Sequence, residues 1–144
     1  MNIDVKYLDI LKDKANEAFI NNEIPVSCLI INSSTGEIIS QGINDRQSTN
    51  NVLGHAEIRA IVAAEENIKD WRLDGYFMLV TLEPCDMCNM VIKEARLDKV
   101  FYLLPKKNTD KSLNEIDNKY LLDGYDEYKE YFYQLLTDFF DNMR

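Results

Sequence analysis

Two short motifs at a fixed interval constrain this chain more than any other feature: His55-Ala56-Glu57 and Pro84-Cys85-Asp86-Met87-Cys88. Between Glu57 and Pro84 lie 26 residues. Each motif opens a stretch of helical spacing, and the interval holds one apolar, strand-like run, so the fold must bring two helix starts together. Cys85 and Cys88, three apart, project from one side of a first helical turn. Helix N-termini favour negative charge, which biases both thiols towards thiolate before any metal arrives. His55, the only histidine, adds a neutral nitrogen. Three such ligands suit tetrahedral zinc and leave a fourth position for water, the arrangement of a catalytic rather than a structural site. Bound zinc lowers the pKa of water from about 16 to roughly 7. A neighbour must then take the proton and pass it on, and Glu57, two residues from His55, is placed for that.

A structural zinc site would need a fourth protein ligand. Cys28 is the one spare cysteine. It sits in the apolar run Cys28-Leu29-Ile30-Ile31, where a thiol acts as a small hydrophobe. A retained Glu57 also argues against a non-catalytic zinc-binding partner, which has no use for a carboxylate beside an open position.

The 144 residues fit one domain, expected to span residues 1–144. With 46% apolar and 28% charged residues, disorder, collagen and coiled coil are excluded. The apolar runs are far too short to cross a bilayer, and charges throughout residues 1–20 leave no secretory segment. An odd cysteine count without a secretory context points to a reducing, cytoplasmic setting and to metal or catalytic use of the thiols. The formal net charge is −9. Such a field repels nucleic acid at long range, so a polyanionic partner requires a local basic patch. The densest candidate is Lys106, Lys107 and Lys111, with Lys93 and Arg96 on the helix that begins at the cysteines.

Periodicity predicts a helix over 4–22, with Leu8, Leu11, Ala15, Ala18 and Phe19 on one face and Asp4 as its cap. Residues 26–32 and 37–43 read as a hairpin around Ser33-Ser34-Thr35-Gly36. Residues 44–54 read as irregular. A helix runs from His55 to about 67, a strand over 76–82, and a helix over 85–96 with Pro84 at a favoured first-turn position. A strand follows at 99–104. Residues 105–123 resist assignment, with room for a short fifth strand or a helix. Residues 125–143 form a helix with Tyr128, Phe132, Leu135, Leu136, Phe139 and Met143 on one stripe. This order predicts an α/β fold, a three-layer α/β/α sandwich around a mixed sheet.

The H-x-E…P-C-x-x-C pattern is the established signature of the zinc nucleobase deaminases. Thr81-Leu82-Glu83-Pro84-Cys85-Asp86-Met87-Cys88 resembles the T-L-E-P-C-x-M-C segment of bacterial tRNA adenosine deaminases. His55-Ala56-Glu57-Ile58, Glu23-Ile24-Pro25-Val26, Gly42-Ile43-Asn44, Trp71-Arg72-Leu73 and the final Asp138-Phe139-Phe140 are similar to segments of the same enzymes. The resemblance implies the cytidine-deaminase-like fold and one zinc per chain on His55, Cys85 and Cys88. It implies Glu57 as proton shuttle, Asn44 on the flipped-out base, Ile24 and Pro84 as pocket walls, and Phe139 on the tRNA cleft, although its helical spacing also suits the core. The implied reaction is hydrolytic deamination of adenosine to inosine at the tRNA wobble position, by a homodimer. Three segments depart from the family pattern: Val52-Leu53-Gly54 before the histidine, Leu103-Leu104-Pro105-Lys106-Lys107-Asn108 after the fourth strand, and Asp141-Asn142-Met143-Arg144 in place of a basic tail. In similar enzymes these segments approach RNA. They leave open a second substrate class, a free nucleobase or nucleoside of guanine or cytosine type.

Overall fold

The computed structural model of the chain describes residues 2–106 and 114–143. One mixed sheet of five strands organises it: β1 (Ser27–Asn32), β2 (Ile38–Ile43), β3 (Tyr76–Leu82), β4 (Lys99–Leu104) and β5 (Lys119–Leu121), in the order β2-β1-β3-β4-β5. β1 runs antiparallel to both β2 and β3, while β3, β4 and β5 are parallel. The helices are α1 (Val5–Ile20), α2 (Arg46–Thr49), α3 (Ala56–Ile68), α4 (Asp86–Ala95) and α5 (Asp126–Asn142). None of them is long and apolar enough to cross a membrane.

Strand alternation sorts the core into two layers. Cys28, Ile30, Met78, Val80 and Val100 pack against Ala56, Ala60, Ile61 and Ala64 of α3 and Ile92 and Ala95 of α4. Leu29, Ile31, Leu79, Phe101 and Leu103 point the other way, onto Leu8, Leu11 and Ala15 of α1 and Phe132 and Leu135 of α5. The central strands are buried on both faces, which explains why they read as continuous apolar runs. This is the expected three-layer sandwich, and it sets α3 and α4 side by side on one face.

Three local expectations are corrected. Residues 44–54 contain a single helical turn, α2. Its amides at Gln47 and Ser48 donate to the buried Glu23 carboxylate, at 3.0 and 2.7 Å. A stabilising partner more than twenty residues away leaves no local periodicity. Pro84 does not occupy the first turn of α4. Cys85 is the N-cap, with extended backbone (φ −74°, ψ 174°), and Asp86 is the first helical residue. The α5 stripe is fully buried only at Phe132 and Leu135, Tyr128 and Leu136 pack partly buried against the core, and Met143 at its end is 70% exposed. Asp4 caps α1 as expected, accepting from the Lys6 amide at 3.0 Å. Within the stretch that resisted assignment, β5 is the short fifth strand.

Gly42 on β2 decides how closely α3 can lie on the sheet. A Cβ there would come within 2.1 Å of the Ala56 carbonyl oxygen and 2.7 Å of the Ala60 nitrogen. Both atoms are helix backbone and cannot rotate aside. Gly42→Ala should therefore lift the start of α3 and destabilise the fold by about 1–3 kcal/mol, read as a lower urea midpoint at unchanged m-value. A midpoint equal to wild type would show that the helix can yield.

Candidate metal centre and adjoining cleft

The two motifs end on the same construction. His55 is the N-cap of α3 and Cys85 the N-cap of α4, and neither side chain makes a capping hydrogen bond. Because α3 and α4 share one face of the sheet, their N-termini converge. His55 Nδ1 lies 3.7 Å from Cys85 Sγ and 3.5 Å from Cys88 Sγ. All three donor atoms fall within 4.8 Å of one another. Tetrahedral zinc, with Zn–N and Zn–S near their usual lengths, requires N···S separations of about 3.6 Å. The donor set and its spacing therefore fit zinc. Cys28 is buried in the α3/α4 core layer and is not part of the cluster, in keeping with its expected role as a small hydrophobe.

His55 keeps its ring free because Asn44 caps α3 in its place. Asn44 Oδ1 accepts from the Ala56 amide at 2.7 Å. That bond takes up one lone pair of the Asn44 oxygen and neither of its N–H donors. The loop between them is pinned as well. The Asp45 amide donates to the Gly54 carbonyl at 2.9 Å, and Arg59 Nε meets Asp45 Oδ1 at 2.9 Å.

The two cysteines share a proton. The Cys88 thiol donates towards Cys85 and holds its pKa down to about 5, helped by the backbone amides of Cys88 and Met87 and by His55. Cys88 itself is pushed far up by that shared proton, by burial and by Glu57. Glu57, in the first turn of α3, is only 4% exposed. Burial raises its carboxyl to about 7, and the negative charge on Cys85 adds to the rise. Its own backbone amide and the Cys88 thiol act in the opposite direction.

Beside the cluster lies a cleft of about 660 Å³. Ile24, Asn44, His55 and Phe139 all line it, so four of the residues singled out in the sequence meet there. Pro84 is buried and is not among the lining residues. Phe139 packs edge-on to Phe140 at 5.4 Å, and both contribute to the cleft wall. Sequence reasoning missed Phe19, Arg46 and Gln47, which also line it. Only Glu23, in the quoted Glu23-Ile24-Pro25-Val26, hinted at α2, through a contact across the loop. Lys106 is not a free basic patch: its ammonium donates to the Pro84 carbonyl at 3.3 Å and lies 3.8 Å from Asp86. Lys107 and Lys111 lie outside the described residues. Arg96 lies over the Trp71 ring, 5.0 Å from its centroid.

The profile of the family described as "Cytidine and deoxycytidylate deaminase zinc-binding region" matches residues 1–104. Among curated relatives, the tRNA-specific adenosine deaminase of Rickettsia bellii (strain RML369-C) is 43% identical over 89 residues, covering 62% of this chain and 61% of that protein. The tRNA-specific adenosine deaminase of Streptococcus pyogenes serotype M18 (strain MGAS8232) is 39% identical over 89 residues, covering 62% and 55%. The matched segment thus spans less than two thirds of these relatives. Among solved structures, a tRNA:A34 deaminase studied for A-to-I editing at the wobble position superposes with a TM-score of 0.79 at 23% identity, covering 92% of this chain and 100% of that one. The guanine deaminase of Nitrosomonas europaea superposes at 0.80 with 14% identity, covering 96% and 85%. At such identities these two structures share the fold.

The Asn44 cap is testable apart from any ligand. Asn44→Ala should cost about 1 kcal/mol of stability, as loss of a helix cap does, measured by urea unfolding. Unchanged stability would mean that water replaces the cap at no cost.

Proposed function

The chain belongs to the cytidine and deoxycytidylate deaminase zinc-binding family, and on that premise we propose that it is a hydrolytic deaminase converting adenosine to inosine at the wobble position of tRNA. The observation that carries the chemistry is the convergence of His55, Cys85 and Cys88 beside a cleft, with Glu57 buried in the helical turn that His55 opens. His55, Cys85 and Cys88 hold one zinc per chain. When bound, zinc lowers the pKa of water to roughly 7. Water adds at C6 of adenine and ammonia leaves, so adenosine and water become inosine and ammonia. Glu57 takes one proton from the attacking water and gives it to the ring nitrogen beside C6, then carries the second, from the added hydroxyl, to the departing amine. It can do so because it is not itself one of the three clustered donors.

Asn44, with its oxygen held by Ala56, offers its N–H donors to a base acceptor. Ile24 and Phe139 flank the base. Support for a tRNA substrate comes from the relatives at 39–43% identity, which carry that specificity in their names. A second reading, deamination of a free base, is favoured by one observation: the net charge of −9 is not offset at Lys106, which is tied to Pro84 and Asp86. We further propose that residues 1–144 act as one domain, cytoplasmic in keeping with three free cysteines, and that the active form is a homodimer. Val62 and Met90, apolar and exposed on α3 and α4, offer a surface for pairing.

Metal analysis of the purified chain should give one zinc per protein, lost in His55→Ala. Glu57→Gln should keep the metal and lose about 10²–10⁴-fold in turnover. Full turnover in zinc-replete Glu57→Gln would remove Glu57 from the mechanism. The substrate is decided by incubating zinc-loaded protein with an anticodon stem-loop bearing a wobble adenosine, and separately with guanine, cytidine and adenosine. Inosine in the stem-loop, with the small substrates unchanged, is the expected outcome. Conversion of a free base alone would establish the second reading.

A further inference from the structure

The Cys85–Cys88 turn is gripped from both ends by one polar network that no ligand motif contains. Glu83 stands two residues before Cys85. Its amide donates to the Leu104 carbonyl at 2.8 Å. One carboxylate oxygen accepts from the Lys106 amide at 3.2 Å, and the other meets Lys119 Nζ at 2.7 Å. Lys119 belongs to β5, and its side chain is only 5% exposed, against 13% for Glu83. Its ammonium also pairs with Glu115. Glu115 in turn accepts from Asn89 Nδ2 at 3.3 Å. Asn89 follows Cys88 directly, is fully buried, and donates its backbone amide to the Cys85 carbonyl at 2.8 Å. A continuous path thus runs from the residues before Cys85, through one buried ammonium, to the residue after Cys88.

A buried ammonium between carboxylates is a poor source of stability, since apolar residues of similar volume often do as well. Its use lies in fixing geometry. Groups that touch metal ligands or their immediate neighbours set ligand orientation, and their loss characteristically weakens metal binding. We propose that Lys119 is a positioning residue for the metal centre, acting through Glu83 and Glu115 to hold Cys85 and Cys88 at the spacing zinc requires. This rests on the reading of His55, Cys85 and Cys88 as zinc ligands, and not on which substrate the chain deaminates.

The test measures metal binding by the full-length chain. Zinc affinity is read by competition with a chromophoric chelator, and ligand geometry by the visible spectrum of the cobalt(II)-substituted protein. Lys119→Met should weaken zinc binding about 10–100-fold and alter the tetrahedral cobalt bands, while Lys119→Arg should recover much of the affinity. Tyr125→Phe serves as the comparison. It loses the hydroxyl contacts with the Ile3 amide and carbonyl in the α1/α5 layer, and should bind zinc as wild type does. If Lys119→Met fails to fold, the Glu83→Gln/Lys119→Met pair removes both charges together and should still bind zinc at least tenfold more weakly than wild type. Wild-type affinity and an unaltered cobalt spectrum in Lys119→Met, or in the pair, would overturn the positioning role. So would equal weakening in Tyr125→Phe, which would make the effect one of general stability. A wild-type chain that binds no zinc would instead overturn the ligand assignment itself.

Discussion

Asn44 lends its side-chain oxygen to the first amide of α3, and this single bond frees the residue beside it. An N-cap position normally calls for a short polar side chain to satisfy the leading amides. Here the N-cap is His55, whose ring makes no such bond, because Asn44 reaches across from the end of β2 to bond Ala56. The imidazole is then available to meet two thiols. The bond also requires β2 and α3 to lie in close contact, and Gly42 permits this by having no Cβ to strike the helix backbone. Remove the close approach and the capping oxygen no longer reaches, and His55 loses its fixed direction.

How much of this was legible in the sequence follows the range of the interactions. The hairpin, the helix starting at His55 and the strand over 76–82 emerge from local periodicity, because their burial is decided residue by residue. The donor cluster was legible too, since its three members are chemically unmistakable and two share a turn. The α2 turn was not, because the Glu23 carboxylate that stabilises it lies far back in the chain. Asn44 lines the cleft, but its bond to a helix start is one that only the fold brings near. Phe139 could have been core or cleft by its spacing. Phe132 and Leu135 are buried in the core, and Phe139, one turn further on, lines the cleft.

Charge shows the same division between composition and placement. The excess of acidic side chains is spread over the surface, yet among the described residues the cleft lining carries few charges. Glu23 spends its carboxylate on the Gln47 and Ser48 amides, and Arg46 also lines the cleft. A net figure for the chain is therefore a weak guide to the potential a ligand would meet at the metal centre. Lys106 teaches the converse lesson. It looks like part of a basic run in the sequence, but in the fold it fastens the Pro84 and Asp86 region.

The Glu23 carboxylate also works as a hasp. It stands next to Ile24 in the cleft lining and clasps α2, which contributes Arg46 and Gln47 to the same lining. Swinging α2 away from Ile24 would break two hydrogen bonds to a charged group, each worth about 1.5–3 kcal/mol. Phe140 and Met143, in the last turn of α5, complete the lining and are exposed. Whatever enters the cleft is thus measured against a wall, Ile24 and α2, that one carboxylate holds at a set width.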